Sequence, residues 1–196
     1  MNNPSNKFIK DTILKLLGAI GSEKEINKYI EKFSSPEQRF AVIKVGGSVI
    51  ENDLENLISS LVFLNQVGLK PVILHGAGPM LSKALKDQKI DFSFIDGQRV
   101  TSIEVRDVAY SVFSKTNKKI VDSLQAQGAN AKSVTSDVFE CVMDNDDLGY
   151  VGSIQSVNHQ LINEILESDS IPVIAPIGFQ DNEILNTVSY THLRAH

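Results

Sequence analysis

The chain has 196 residues and a formal charge of −5, long enough for one domain that buries roughly 70% of its unfolded surface. Hydrophobic residues make up 42% and charged ones 22%, a balance that excludes disorder, collagen and a disulfide scaffold. Mild acidity argues against a dedicated nucleic-acid binder, and the lone Cys141 rules out an internal disulfide or a multi-cysteine zinc site.

No apolar run reaches membrane-spanning length, and Met1-Asn2-Asn3-Pro4 lacks the basic and apolar regions of a secretory signal. The expected location is the cytoplasm, with neither a membrane nor nucleic acid as partner. Residues 11–33 place Ile13, Leu14, Leu17, Ile20, Ile26, Ile30 and Phe33 at three-and-four spacing, which predicts amphipathic helix. A break is expected near Gly18 to Gly21, where Ser22 can cap a second helix. A charged connector then leads to Phe40-Ala41-Val42-Ile43-Lys44-Val45, an almost wholly apolar strand ended by Gly46-Gly47.

Helical periodicity resumes over residues 53–67 and stops at Gly68, a C-cap candidate. Pro71-Val72-Ile73-Leu74 is the next strand, followed by Gly76-Ala77-Gly78-Pro79 and another helix. Two buried-type strands joined through a helix make a βαβ unit and hence a parallel sheet. Two helices are expected over residues 102–114 and 117–127, with short strands around Val134, Val138 and Cys141-Val142-Met143. Gly149-Tyr150-Val151-Gly152 reads as a turn or hairpin, residues 158–167 as helix, and Ile171-Pro172-Val173-Ile174-Ala175 as strand. The fold class is α/β, with helices on both faces of a mostly parallel sheet.

In such sheets ligands bind beyond the carboxyl ends of the strands, where Gly46-Gly47 and Gly76-Ala77-Gly78 lie. Either glycine pair alone is equally well explained as a turn; two together, one preceded by lysine, favour phosphate. Lys44 sits in an apolar strand, where a charge is expensive unless paired. It can neutralise a transferring phosphoryl group, or simply snorkel to water. Walker-A, dinucleotide, zinc-protease and hydrolase motifs are all absent.

Arg99, one of four arginines, lies in the loop Asp96-Gly97-Gln98-Arg99-Val100-Thr101. It is a candidate carboxylate clamp, although spacing alone favours a surface salt bridge. His75 reads as a residue that fixes the second glycine turn by hydrogen bonding, ahead of an acid or base. His159, His192 and His196 have no metal-ligand spacing, and the acidic stretch from Asp144 to Asp147 lacks a calcium-loop pattern. Cys141 reads as a small core residue.

Ile43-Lys44-Val45-Gly46-Gly47-Ser48, His75-Gly76-Ala77-Gly78-Pro79, Gly97-Gln98-Arg99-Val100-Thr101 and Ile171-Pro172-Val173-Ile174 resemble, in order and spacing, the amino-acid kinase family. Within it they are similar to the branch of N-acetyl-L-glutamate kinases that includes fungal mitochondrial enzymes and bifunctional synthase-kinases. The resemblance implies a three-layer sandwich and transfer of the ATP γ-phosphoryl group, with Mg²⁺, to the side-chain carboxylate of N-acetyl-L-glutamate in arginine biosynthesis. It makes Lys44 the catalytic, phosphoryl-stabilising lysine and Gly46 and Gly47 contacts of the ATP phosphates. Ala77 and Gly78 become contacts of acetylglutamate, Arg99 the clamp on its α-carboxylate, and Asn186 a second substrate contact. No metal ligand is implied. L-arginine is the implied feedback inhibitor, and the full-length protein a homo-oligomer.

The same resemblance divides the chain into a helical extension over residues 1–38, the first portion of a kinase domain over 39–187, and a non-native tail over 188–196. Val188-Ser189-Tyr190 stands where the family has Asn-Ala-Asp, so a truncated kinase, inactive alone, is the expectation. Two alternatives stay open: an arginine-sensing, kinase-like regulatory domain of an acetylglutamate synthase, and an unrelated α/β nucleotide binder.

Overall fold

The computed structural model describes residues 40–66, 69–143, 145–181 and 183–187. The helices expected over residues 11–33, the cap at Gly68 and the tail over 188–196 lie outside the described residues. In chain order, β1 (Phe40–Val45) is followed by α1 (Gly47–Asn52), α2 (Leu54–Gln66), β2 (Lys70–His75) and α3 (Gly78–Asp87). A hairpin of β3 (Phe94–Ile95) and β4 (Gln98–Arg99) leads into α4 (Ile103–Ala126). Next come β5 (Ala131–Val134), β6 (Phe139–Met143), a 3₁₀ turn (Asp146–Leu148), β7 (Val151–Val157) and α5 (His159–Glu167). The chain ends its described course with β8 (Ile171–Ile174), β9 (Ile177–Gln180) and β10 (Glu183–Thr187).

Four parallel strands form the main sheet in the order β1-β2-β8-β5. All of β8, and β2 from Pro71 onward, is buried, as continuous apolar runs in a central parallel strand should be. One face is covered by α1, α2 and α4 through Ile50, Ile58, Leu61, Ile120 and Leu124. The other face meets α5, through Ile165 and Leu166, and part of a second sheet. In that second sheet β10, β7, β6 and β9 close on themselves into a small barrel. A third cluster joins α3 to the first half of α4 and to Ala175 and Ile177 just beyond β8. The three-layer α/β expectation therefore holds.

Four details differ from the sequence reading. Helix α1 was not expected, because six residues beginning with glycine carry too little periodicity; Asp53, at φ −144°, divides it from α2. The two helices expected around residue 115 are one helix of 24 residues. Thr116 stays inside it by returning its hydroxyl to the carbonyl of Val112 at 2.8 Å. The Arg99 loop is a hairpin whose two-residue tip, Asp96 and Gly97, has φ of 49° and 80°, the geometry Asp-Gly favours. The barrel's second half, β9 and β10, also escaped the sequence reading.

Candidate functional site

The two glycine turns lie side by side. Val45 pairs with His75 at the ends of β1 and β2, and the Gly76 N–H donates to the Val45 carbonyl at 2.8 Å. The turns then pack backbone on backbone: a Cβ on Gly47 would stand 2.8 Å from the Pro79 ring and 3.1 Å from the Ala77 Cα. Turn packing alone therefore demands glycine at 47. At Gly46 a Cβ would meet only the Ser48 hydroxyl, at 3.9 Å, and at Gly78 it would meet nothing within 4 Å. Neither has a positive φ. The fold does not require glycine at these two positions, and their bare backbone leaves room for a ligand to approach closely.

Gly78 opens α3, a ten-residue helix with Pro79 in its first turn and no side-chain cap on its N-terminus. Uncapped N–H groups and the helix dipole there favour an anion. Lys44 stands on the last turn-ward stretch of β1, but in a different setting from the one its sequence suggested. Among the described strands β1 ends the sheet order, and Lys44 shares its exposed face with Val42, which is 63% exposed. The argument from costly burial of a charge fails there, because Lys44 is exposed. Its position at the strand end is unaffected.

Arg99 departs furthest from the surface salt bridge that spacing favoured. Its Nη2 donates to the Ser82 hydroxyl on α3 at 2.7 Å, one helical turn from Gly78. The guanidinium carbon lies 4.4 Å from the Phe92 ring centroid and 4.7 Å from that of Phe94. Nη1 is buried and has no partner among the described residues, and no described carboxylate forms an ion pair with this arginine. Burial lowers its pKa, so the guanidinium gains from any anion that reaches it.

The hairpin that carries Arg99 is clasped from behind. Thr101 returns its hydroxyl to the Arg99 carbonyl at 2.9 Å, and its backbone bonds to Leu148 and Tyr150 at 2.8 Å each. Gly149, at φ 67°, lies so close that a Cβ would strike the Thr101 carbonyl oxygen. Arg106 then stacks on the Tyr150 ring at 4.5 Å. These partners, with Ser82, Phe92 and Phe94, were not picked out from the sequence; only the Asp-Gly turn and the glycine at 149 were visible signals.

Ala77 is buried in one cluster with Ala175 and Ile177. Asn186 lies on β10, its backbone paired with Ile177 and with Val151, so it sits on the barrel beside the end of β8 and not on the glycine turns. His75 is wholly buried, and burial holds its pKa near 4 against a backbone hydrogen bond with Gly76. It is neutral at physiological pH, with Nε2 3.2 Å from the Asn117 side-chain nitrogen on α4. Cys141 is a core residue, its thiol pushed up to about 11 by burial. Among the described residues no three His, Cys, Asp or Glu side chains come together as a metal site.

Adjacent glycine turns, an uncapped helix N-terminus and a cradled guanidinium give this α/β protein a cluster, beyond its parallel strands, whose chemistry suits anionic groups. The chain belongs to the amino acid kinase family, whose pattern matches residues 39–190. It is 41% identical over 181 residues to "Protein arg11, mitochondrial" of Schizosaccharomyces pombe, covering 90% of this chain and 20% of that one. It is 44% identical over 170 residues to the acetylglutamate kinase of Xanthomonas campestris pv. campestris, covering 85% of this chain and 40% of that enzyme. Among solved structures, N-acetylglutamate synthase from Neisseria gonorrhoeae, complexed with coenzyme A and N-acetyl-glutamate, superposes with a TM-score of 0.66. That match has 21% identity over 76% of this chain and 36% of the other, a likeness of fold. The chain thus spans between a fifth and two fifths of these two curated relatives' length. No helix among the described residues is long and apolar enough to cross a membrane.

Proposed function

We propose that this chain forms the acetylglutamate side of an N-acetyl-L-glutamate kinase, which transfers the γ-phosphoryl group of ATP to the substrate's side-chain carboxylate. The observation that carries the reading is the Arg99 guanidinium, held by Ser82 and two rings, with Nη1 buried and unpartnered among the described residues. A substrate α-carboxylate completes that geometry, since a second planar oxygen can accept from Nη1. The relatives named acetylglutamate kinase, at up to 44% identity, support the same substrate.

In this reading the α-carboxylate rests on Arg99 and the side-chain carboxylate reaches toward Ala77 and Gly78 at the start of α3. Gly46 and Gly47 present backbone N–H groups to the ATP phosphates, and Lys44 neutralises charge as the phosphoryl group moves. Asn186 adds a second substrate contact from the barrel. Mg²⁺ enters with ATP, as part of the substrate complex. Catalysis is positioning and charge neutralisation with no covalent intermediate on the protein. Residues 39–187 are the kinase portion, residues 1–38 an extension suited to self-association or to regulation by L-arginine, and residues 188–196 a foreign tail. We place the reaction in the cytoplasm, with the mitochondrion, named for the S. pombe relative, as the alternative.

The test is a titration of the chain with N-acetyl-L-glutamate and, separately, with its α-amide, which lacks the charge Arg99 would read. Acetylglutamate should bind and the amide should not. Arg99→Ala should weaken acetylglutamate binding about 30-fold, the loss of about 2 kcal/mol from a desolvated charged pair, and leave nucleotide binding unchanged. Equal affinity for acid and amide would remove Arg99 from this role.

A further inference from the structure

Ser60 on α2 and Ser123 on α4 return their hydroxyl protons to the carbonyl one helical turn back, Asn56 and Lys119, both at 2.8 Å. Ser82 on α3 behaves differently. Its Oγ accepts from Nη2 of Arg99 at 2.7 Å, and among the described residues no carbonyl takes its own proton. A hydroxyl has one proton and two lone pairs, so accepting from the guanidinium leaves the proton free to donate. Facing a cation, the O–H also turns that hydrogen outward. The helix sets where the hydroxyl lies. Helical side chains lean toward the N-terminus, and residues four apart share a face. Half-buried Ser82 therefore leans over Gly78, about 6 Å along the axis from the uncapped start of α3. Nη1 of Arg99, buried and unpartnered among the described residues, belongs to the same guanidinium as the Nη2 that Ser82 holds. The hydroxyl and Nη1 are thus two spare donors joined through one nitrogen, a pairing that suits the two oxygens of a single carboxylate.

We infer that Ser82 is a substrate-binding, specificity-determining residue: its hydroxyl, oriented by accepting from Arg99, donates to the substrate's α-carboxylate beside Nη1. The inference rests on the proposed function for the identity of that carboxylate. It adds a donor that the guanidinium does not itself supply. With Arg99 alone, one oxygen on Nη1 suffices to meet the charge. With Ser82 as well, both oxygens have a donor, and an acceptor is needed at each. An amide offers a single oxygen and would set its NH₂ against the hydroxyl or against Nη1, leaving a donor unpaired. The pair therefore reads a carboxylate by its second oxygen as well as by its charge.

Titrations of the full chain with N-acetyl-L-glutamate, alone and with Ser82→Ala, Arg99→Ala and both together, test the contact. Alanine is the better helix former, so Ser82→Ala should fold, which thermal unfolding checks. It should weaken acetylglutamate binding about tenfold, the loss of a hydrogen bond to a charged group. A serine that only aimed Arg99 would cost nothing more once Arg99 is gone. A direct donor should still cost about threefold when Ser82→Ala is added to Arg99→Ala. With acetylglutamate labelled with ¹³C at both carboxyl carbons, Ser82→Ala should move the bound α-carboxyl signal and leave the side-chain carboxyl signal in place. Unchanged affinity in Ser82→Ala, no added loss in the double variant, or an unmoved α-carboxyl signal would each overturn the contact. If the unmutated chain binds no acetylglutamate, the proposed substrate fails and the contact with it. If it binds and Ser82→Ala binds equally well, the contact fails and the proposed substrate stands.

Discussion

The glycine turns at the ends of β1 and β2 and the Arg99 hairpin meet on α3 a single helical turn apart, yet they are fixed by different means. The turns are fixed by neighbours in the sheet: Val45 pairs with His75, and Gly47 packs on Ala77 and Pro79. The hairpin has two-residue strands of its own and is fixed from elsewhere, by Ser82 on α3 and by Thr101 against Gly149 on the barrel. One half of the site is the end of a buried sheet; the other is an arm clasped onto it. Perturbing the sheet end should change the fold and the site together, whereas the arm can be loosened with the main sheet intact.

The sharpest way to break that distinction is Gly149→Ala. The substitution puts an L-residue at φ 67° and drives its Cβ into the Thr101 carbonyl, for a combined cost of about 4 kcal/mol. The expected result is a lower urea midpoint, with amide shifts concentrated in residues 92–101 and 148–152. Shifts confined to β1 and β2 would mean that the hairpin is not clasped where we place it.

Next in size is the acid sensitivity of the sheet end. His75 ionises near 4 in the folded chain against an ordinary 6.5. Between these values the unfolded chain takes up a proton that the folded one refuses, so stability falls with falling pH. The contribution is complete above about pH 6.5 and lost on descent to about pH 4, some ~3 kcal/mol in all. Comparing denaturant unfolding at pH 7 and pH 4.5 with the same pair for His75→Gln isolates the term. An equal pH dependence in both proteins would deny His75 that part.

A smaller contrast lies within the turns themselves. Gly47→Ala should cost about 2 kcal/mol, since the Pro79 ring and the Ala77 backbone must give way. Gly78→Ala meets nothing and should leave the unfolding midpoint nearly unchanged. It should nonetheless weaken ligand binding if the substrate approaches that backbone. A Gly78→Ala protein with full affinity would turn the glycine back into an ordinary helix start.

The same division explains what could be read from the sequence. Strands β1, β2 and β8 and the glycine turns are local signals, apolar runs closed by residues of special conformation, and they stand where the pattern put them. Arg99 was visible as a residue, but its setting was not. Ser82 and Phe92 reach it across 17 and 7 positions of chain, Gly149 clasps Thr101 across 48, and no periodicity records such meetings. Lys44 failed in the opposite direction: an apolar run does not show which face of a strand is covered, so the cost of burying a charge was weighed where an exposed one stands. Asn117 left a faint mark, a polar residue on an apolar helical face, which length and spacing alone do not distinguish from an exposed one.

The smallest effect sharpens the comparison most finely. Phe94 is 54% exposed, so removing its ring should hardly change the stability of the main sheet. It is nevertheless one of two rings on the Arg99 guanidinium, and it packs edge-on against the other, Phe92, with centroids 5.9 Å apart. A cation–π contact at so exposed a ring is worth about 0.5–1 kcal/mol. Phe94→Ala should therefore weaken acetylglutamate binding by about two- to fivefold, with the unfolding midpoint held. Phe94→Leu keeps the apolar bulk without the ring's quadrupole, and should likewise hold the unfolding midpoint without restoring affinity. If leucine restored affinity as well, the ring would be acting only as packing, and Ser82 alone would be left to aim the guanidinium.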